Sequence, residues 1–315
     1  MASSVFRPGA TALISGSAGG VGFAFARICR QHGMHLALLD RDTDNLAAAV
    51  DLLQSESPQP DLKIESYSID VSDLPAWKSV STKVKSTFGP SLDLLMLNAG
   101  HSPKPSGTSR WLDVDYWHKT LDTNLFGVVN GIATFLPNIQ ASTGPSAVVI
   151  TGSKQGITNP PGNPAYNCSK SAVKSIAEHL AHDLRTPSHE HHHPTASVHL
   201  LIPGWTYTGL SGNPGPAPSQ DAIDKKPAGA WLPQQCAQYG VDRIKEGKFY
   251  IVCPDNDVDE ALDQARMTWA VGDVVEGRSA LSRWDELFKN DAAAWIAEDA
   301  KRRRGDAKDD GLATR

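Results

Sequence analysis

Short apolar runs alternate along the chain with longer segments whose apolar positions recur at helical spacing. The runs fall at 11–15, 34–40, 62–70, 92–97, 147–151, 196–202 and 249–252. They are nearly continuous in apolar residues, the pattern of strands buried on both faces. Between them, segments such as 21–31, 46–53 and 173–184 place apolar residues on one helical face. Strands alternating with helices predict an α/β fold, a doubly wound (Rossmann) and mainly parallel seven-stranded sheet with helices on both faces. The pattern predicts one domain over 1–256, with no internal repeat and no linker dividing it.

Three stretches break this rhythm. SHEHHHP (188–194) gathers four histidines and a glutamate between a helix and a strand. A zinc site needs ligands converging from a rigid frame, so 189–193 reads as a solvated loop and no metal is expected. GLSGNPGPAPSQDAIDKKPAGA (209–230) is too rich in Pro and Gly for regular structure throughout. The region 257–315 begins with helical patterning and predicts a helical C-terminal extension, held on the same domain or at an oligomer interface. Its end, KRRRGDAKDDGLATR, is polar enough to fray.

Composition narrows the class without naming it. With 315 residues, 40% hydrophobic and 21% charged, the chain can bury a substantial core. A net charge of -5 argues against a nucleic-acid partner held by a basic surface. No apolar run approaches the roughly 20 residues that span a bilayer. MASSVFRPG and GLATR carry no recognisable address, so no membrane partner and a cytoplasmic location are expected. The four cysteines lack metal-type spacing and read as reduced thiols, Cys168 among them as a small helix residue.

SGSAGGVG (15–22) follows the first run and opens the first helical segment. Gly16, Ser17, Gly20, Val21 and Gly22 would supply a tight turn, a backbone able to approach a pyrophosphate, and close helix–strand packing. The helix start adds free N–H groups and a favourable dipole. Asp40 ends the second run, where a carboxylate accepts hydrogen bonds from ribose hydroxyls and repels a 2′-phosphate. NAD is therefore favoured; Arg41, beside it, keeps NADP possible.

With this loop, LNAG (97–100), Ser153, Tyr166 with Lys170 in AYNCSK (165–170), and PGWTYT (203–208) stand in order. Together they resemble the short-chain dehydrogenase/reductase family, in its single-domain soluble branch, over roughly 8–255. The resemblance implies that Asn124, Ser153, Tyr166 and Lys170 form the catalytic set, with Asn124 supporting a water-linked proton relay. It implies that Asp70 and Val71 meet the adenine ring and that Asn98, Ala99 and Gly100 line the adenosine ribose side. Pro203, Gly204, Thr206 and Thr208 would hold the nicotinamide carboxamide, and 209–231 would be the substrate lid. It also implies a small-molecule substrate and a homodimer or homotetramer. Gly152 stands where the family often has a hydroxyl residue, and Ser15 where threonine is usual.

The chemistry asks for these residue types. Hydride transfer at a carbinol carbon needs a proton moved at its oxygen, and a phenol near pKa 10 is a poor base at neutral pH. Four apart on a helix, Tyr166 and Lys170 share a face, and an ammonium there favours the phenolate. Ser153, 13 residues before Tyr166, would donate to the same oxygen. Candidate pocket residues are His101, Lys104, Gln155, Ile157, Pro160, Trp205, Tyr207 and Trp231. The expected activity is NAD(P)-dependent interconversion of a secondary alcohol and a ketone, on a lipophilic or secondary-metabolite substrate. The alternatives are an epimerase, dehydratase or cyclase without net redox change, and a non-catalytic nucleotide-sensing protein.

Overall fold

The computed structural model describes residues 4–105, 109–212, 215–217 and 219–309. Seven strands form one sheet in the order β3-β2-β1-β4-β5-β6-β7: β1 (Thr11–Ser15), β2 (His35–Asp40), β3 (Ile64–Ser68), β4 (Leu94–Leu97), β5 (Ser146–Thr151), β6 (Ala196–Ile202) and β7 (Tyr250–Val252). Every pairing is parallel. The order reverses at β1, so the carboxyl ends of β1 and β4 open a crevice where such sheets bind ligands.

Alternation along the central strands builds two cores. Ala12, Ile14, Leu94, Met96, Ala147 and Val149 face α1 (Gly20–Gln31), α2 (Thr43–Glu56) and α9 (Pro233–Lys245). Leu13, Leu95, Leu97, Val148 and Ile150 face α3 (Leu74–Phe88), α5 (Gly127–Gln140) and α7 (Pro164–Arg185). β1, β4 and β5 are buried throughout. Edge strand β3 is not: IESYS has only Tyr67 buried, which shortens the strand expected over 62–70.

α4 (Val114–Leu121) runs through a π-turn, Asp122–Phe126, into α5. The short helix α6 (Gln155–Thr158) lies between β5 and α7, and α8 (Gln220–Asp224) lies within 209–231; residues 213, 214 and 218 of that stretch lie outside the described ones. The expected extension is a hairpin of α10 (Glu260–Glu276) and α11 (Lys289–Asp309), closed by Ala265, Trp269, Ala292, Ile296 and Ala300. α11 runs to Asp309, with Arg302 and Arg303 paired to Asp299 and Arg304 to Asp259; 310–315 lie outside the described residues. No described helix is long and apolar enough to cross a membrane.

Candidate active site

The glycine turn leaves β1 in a conformation closed to most side chains. Gly16 has φ +66° and Gly20 φ +55°. A Cβ on Gly22 would lie 2.1 Å from the Gly16 carbonyl oxygen, so α1 can sit this close to the turn only with glycine there. Gly19 caps α1 with no side-chain hydrogen bond, leaving its first N–H groups to the crevice.

LNAG ties the sheet together at this point. Ser15 Oγ accepts from the amides of Asn98 (3.0 Å) and Ala99 (3.2 Å). The Asn98 side chain donates to Gly16 O (3.1 Å) and accepts from Thr151 Oγ1 (3.1 Å), joining β1, β4 and β5. Serine at 15 therefore fills the hydroxyl position where the family usually has threonine.

A cleft of about 860 Å³ runs over these ends. Gly16, Gly20, Val21, Asp40 and Arg41 line one end; Ser153, Tyr166 and Lys170 line the other, with Asn98 to Gly100 between. Pro203, Gly204, Thr206 and Thr208 form the facing wall. Asp40 Oδ2 accepts from Ala18 N (3.0 Å) and its Oδ1 from Asp42 N (3.1 Å), which fixes the carboxylate at the rim. Glycine turn, open helix start, rim carboxylate and a buried ammonium at the far end form a cradle that suits a dinucleotide.

Some expected contacts stand off the wall. Ser17 is fully buried and donates to Leu39 O (3.2 Å), so its hydroxyl faces the sheet and not the cleft. Asp70 accepts from Ser72 N (2.9 Å) and Oγ (2.7 Å), and Val71 is buried against Gly127. Asn124 is buried in the π-turn. Its Oδ1 accepts from His101 N (2.8 Å), and its Nδ2 donates to His101 O (2.9 Å) and Ser169 Oγ (3.2 Å). It clamps the turn beside Lys170 rather than facing the cleft.

The reacting end is built on α7. Asn163 caps it, accepting from Tyr166 N (3.4 Å) and donating to Ser102 Oγ (2.6 Å). Lys170 is buried, its Nζ 5.9 Å from the Tyr166 ring centroid and donating to Thr151 O (2.7 Å). Burial pulls this ammonium down to about 8. Burial also raises the Tyr166 hydroxyl above the ordinary phenol value, while a hydrogen bond with Ser153 pulls it back. Within the protein alone, burial therefore outweighs the pull of Ser153 at this phenol.

Of the pocket candidates, His101, Gln155 and Trp205 line the cleft; Lys104, Ile157, Pro160, Tyr207 and Trp231 do not. Ile157 packs on the core, and Trp231 meets Tyr239 edge-on at 5.9 Å. The histidines of 189–193 are spent locally: His192 Nδ1 bonds Leu184 O (3.0 Å) and His189 lies 3.5 Å from Asp183. Among the described residues no group of three or more His, Cys, Asp or Glu could hold a metal ion. Sequence reasoning missed Lys154, Asp255 and Asp263, which meet beside Ser153; no local spacing links residues so far apart.

Known proteins are similar to this chain. The family model described as short chain dehydrogenase matches residues 10–216. SadH of Mycobacterium tuberculosis, named as an oxidoreductase, is 31% identical over 251 residues, 78% of this chain and 86% of its own. Mouse dehydrogenase/reductase SDR family member 4 is 30% identical over 201 residues, 64% of this chain and 67% of its own. A short-chain dehydrogenase/reductase from Burkholderia phymatum, solved in complex with NAD, aligns at TM-score 0.72 and 27% identity, covering 88% of this chain and 98% of that one. The family model spans the cleft residues from Gly16 to Gly215, and the chain belongs to the short-chain dehydrogenase/reductase family of oxidoreductases.

Proposed function

We propose that this enzyme interconverts a secondary alcohol and its ketone, on a lipophilic small molecule of moderate size, with NAD as the preferred cofactor. The observation that carries the reading is Ser153, Tyr166 and Lys170 brought together on one cleft wall, with the Lys170 ammonium buried and donating to Thr151 O. Trp205, Leu210 and Pro103 lie on the same cleft wall and offer apolar surface to a substrate. The bound nicotinamide supplies or accepts the hydride.

The chain's own residues do the rest. Tyr166 Oη gives or takes the proton at the substrate oxygen, and Ser153 Oγ donates to that oxygen as charge develops on it. Lys170 holds the nicotinamide ribose and adds a positive field. Asn124 is a positioning residue, fixing the 100–101 turn against α7. The α1 start with Gly16, Gly20 and Val21 receives the pyrophosphate, and Asp40 the adenosine ribose hydroxyls. Asp42 lies on the rim near Asp40, so a 2′-phosphate meets carboxylates there. Asn98 to Gly100 line the ribose side, and Pro203, Gly204, Thr206 and Thr208 hold the carboxamide.

The test is the absorbance of reduced nicotinamide with NAD and cyclohexanol, menthol or borneol, and with NADH and the matching ketones. Reduced cofactor should accumulate with at least one alcohol. Tight cofactor binding without turnover on any of them would support the sensor. Product without a change in cofactor absorbance would support the epimerase or cyclase.

A further inference from the structure

Asp263 lies in α10, outside the residues matched by the family model, yet its carboxylate reaches the reacting end of the cleft. Its side chain is 4% exposed, and Oδ2 lies 2.5 Å from Lys154 Nζ. Lys154 directly follows Ser153 and lines the cleft. The same Nζ lies 3.4 Å from Asp255 Oδ2, which accepts from Trp205 N at 3.1 Å.

The segment after β6 is flush against this pair. A Cβ on Gly204 would stand 2.7 Å from Asp255 Oδ2 and 2.8 Å from Lys154 Nζ. The neighbouring Asn256 donates to Ala228 O (2.6 Å), so the turn also holds the base of the 209–231 segment. One ammonium thus joins the Ser153 turn, the segment after β6, the turn after β7 and the extension.

Two carboxylates around one ammonium, all largely out of water, are a poor way to fasten a helix. Removing charges from water opposes their attraction, and apolar contacts of similar size serve stability as well or better. Trp269 and Ile296 hold α10 and α11 to each other by such contacts, whereas α10 meets Lys154 through a carboxylate. Burial pushes the Asp263 carboxyl up while Lys154 pulls it down, so the extension keeps this carboxylate in a costly place.

We propose that Lys154, clamped by Asp263 and Asp255, is a positioning residue that fixes the Ser153 hydroxyl and the Gly204–Trp205 backbone. The helical extension thereby completes the active site from outside the sheet. This rests on Ser153 acting at the substrate oxygen, as proposed above.

The test uses the full chain and the variants Asp263→Asn, Lys154→Met and their combination. Hydrogen–deuterium exchange is followed in peptides over 152–157 and 203–207, where Gln155 N donates to Ser153 Oγ and Trp205 N to Asp255. Each single variant should speed exchange there about tenfold and leave β1 and β4 unchanged. With NAD and cyclohexanol, kcat should fall about tenfold while NAD binding stays within about threefold. The double variant should match Lys154→Met, because the two side chains act as one unit. Exchange unchanged in both peptides, or raised evenly across the sheet, overturns the proposal, as do effects that multiply in the double variant. If the wild type oxidises no alcohol, the functional reading fails, and the exchange data alone decide the clamp.

Discussion

At residue scale, Lys170 has a lowered proton affinity because it is enclosed, and its ammonium donates to the Thr151 carbonyl. Near neutral pH it is still charged. Its proton affinity lies near 10.5 when exposed and about 8 in the fold, so between these values the unfolded chain holds the extra proton. Burial of the charge opposes folding fully below about pH 8, and that opposition fades as pH rises toward 10.5. The unfolding free energy of wild type relative to Lys170→Met should therefore grow, by on the order of 2 kcal/mol, between neutral and strongly alkaline pH. A flat difference in urea titrations would contradict this enclosure. AYNCSK disclosed the shared helix face but not its depth, and depth decides the sign at Tyr166. Burial disfavours the phenolate and raises the Tyr166 hydroxyl above the ordinary phenol value, with Ser153 pulling the other way. At neutral pH the hydroxyl keeps its proton, the form needed to protonate a ketone oxygen. Asp40 was legible because its place at the end of β2 follows from chain order. Asp40→Asn keeps an acceptor for Ala18 N and removes the charge. It should raise the NADP-to-NAD ratio of kcat/KM about tenfold or more. An unchanged ratio would mean that the carboxylate does not select the cofactor.

At element scale, the central strands and α7 were legible because burial on two faces and a 3.6-residue period leave plain patterns. The edge strand β3 was drawn too long, since LKIESYSID has β-branched and aromatic residues but only one face to bury. The π-turn at 122–126 was not legible: it depends on Asn124 reaching a backbone turn 23 positions earlier. Asn124→Ala should leave His101 N and O without that partner in a part-buried turn. The expected loss is roughly 1–3 kcal/mol in urea unfolding, with kcat lowered more than cofactor binding. A change within about 0.5 kcal/mol would show that the π-turn holds without the side chain.

At the scale of the whole molecule, the doubly wound sheet follows from the order of runs, whereas the partner of the extension could not be read from sequence. Lys154 and Asp263 are 109 positions apart, and only folding brings them together. Trp111 (70% exposed), Leu112 (84%) and Val114 (61%) leave exposed apolar side chains where the chain enters α4. Apolar side chains clustered on a surface turn suit an association site, so sedimentation should show a dimer or tetramer that Leu112→Asp dissociates; a wild-type monomer would contradict it. The account as a whole turns on one hydroxyl, and Tyr166→Phe removes it while keeping the ring. NAD binding by the variant should stay within about threefold of wild type, and kcat for alcohol oxidation and ketone reduction should fall roughly a thousandfold. Turnover by the phenylalanine variant equal to that of the wild type, on the same substrate, would contradict the account.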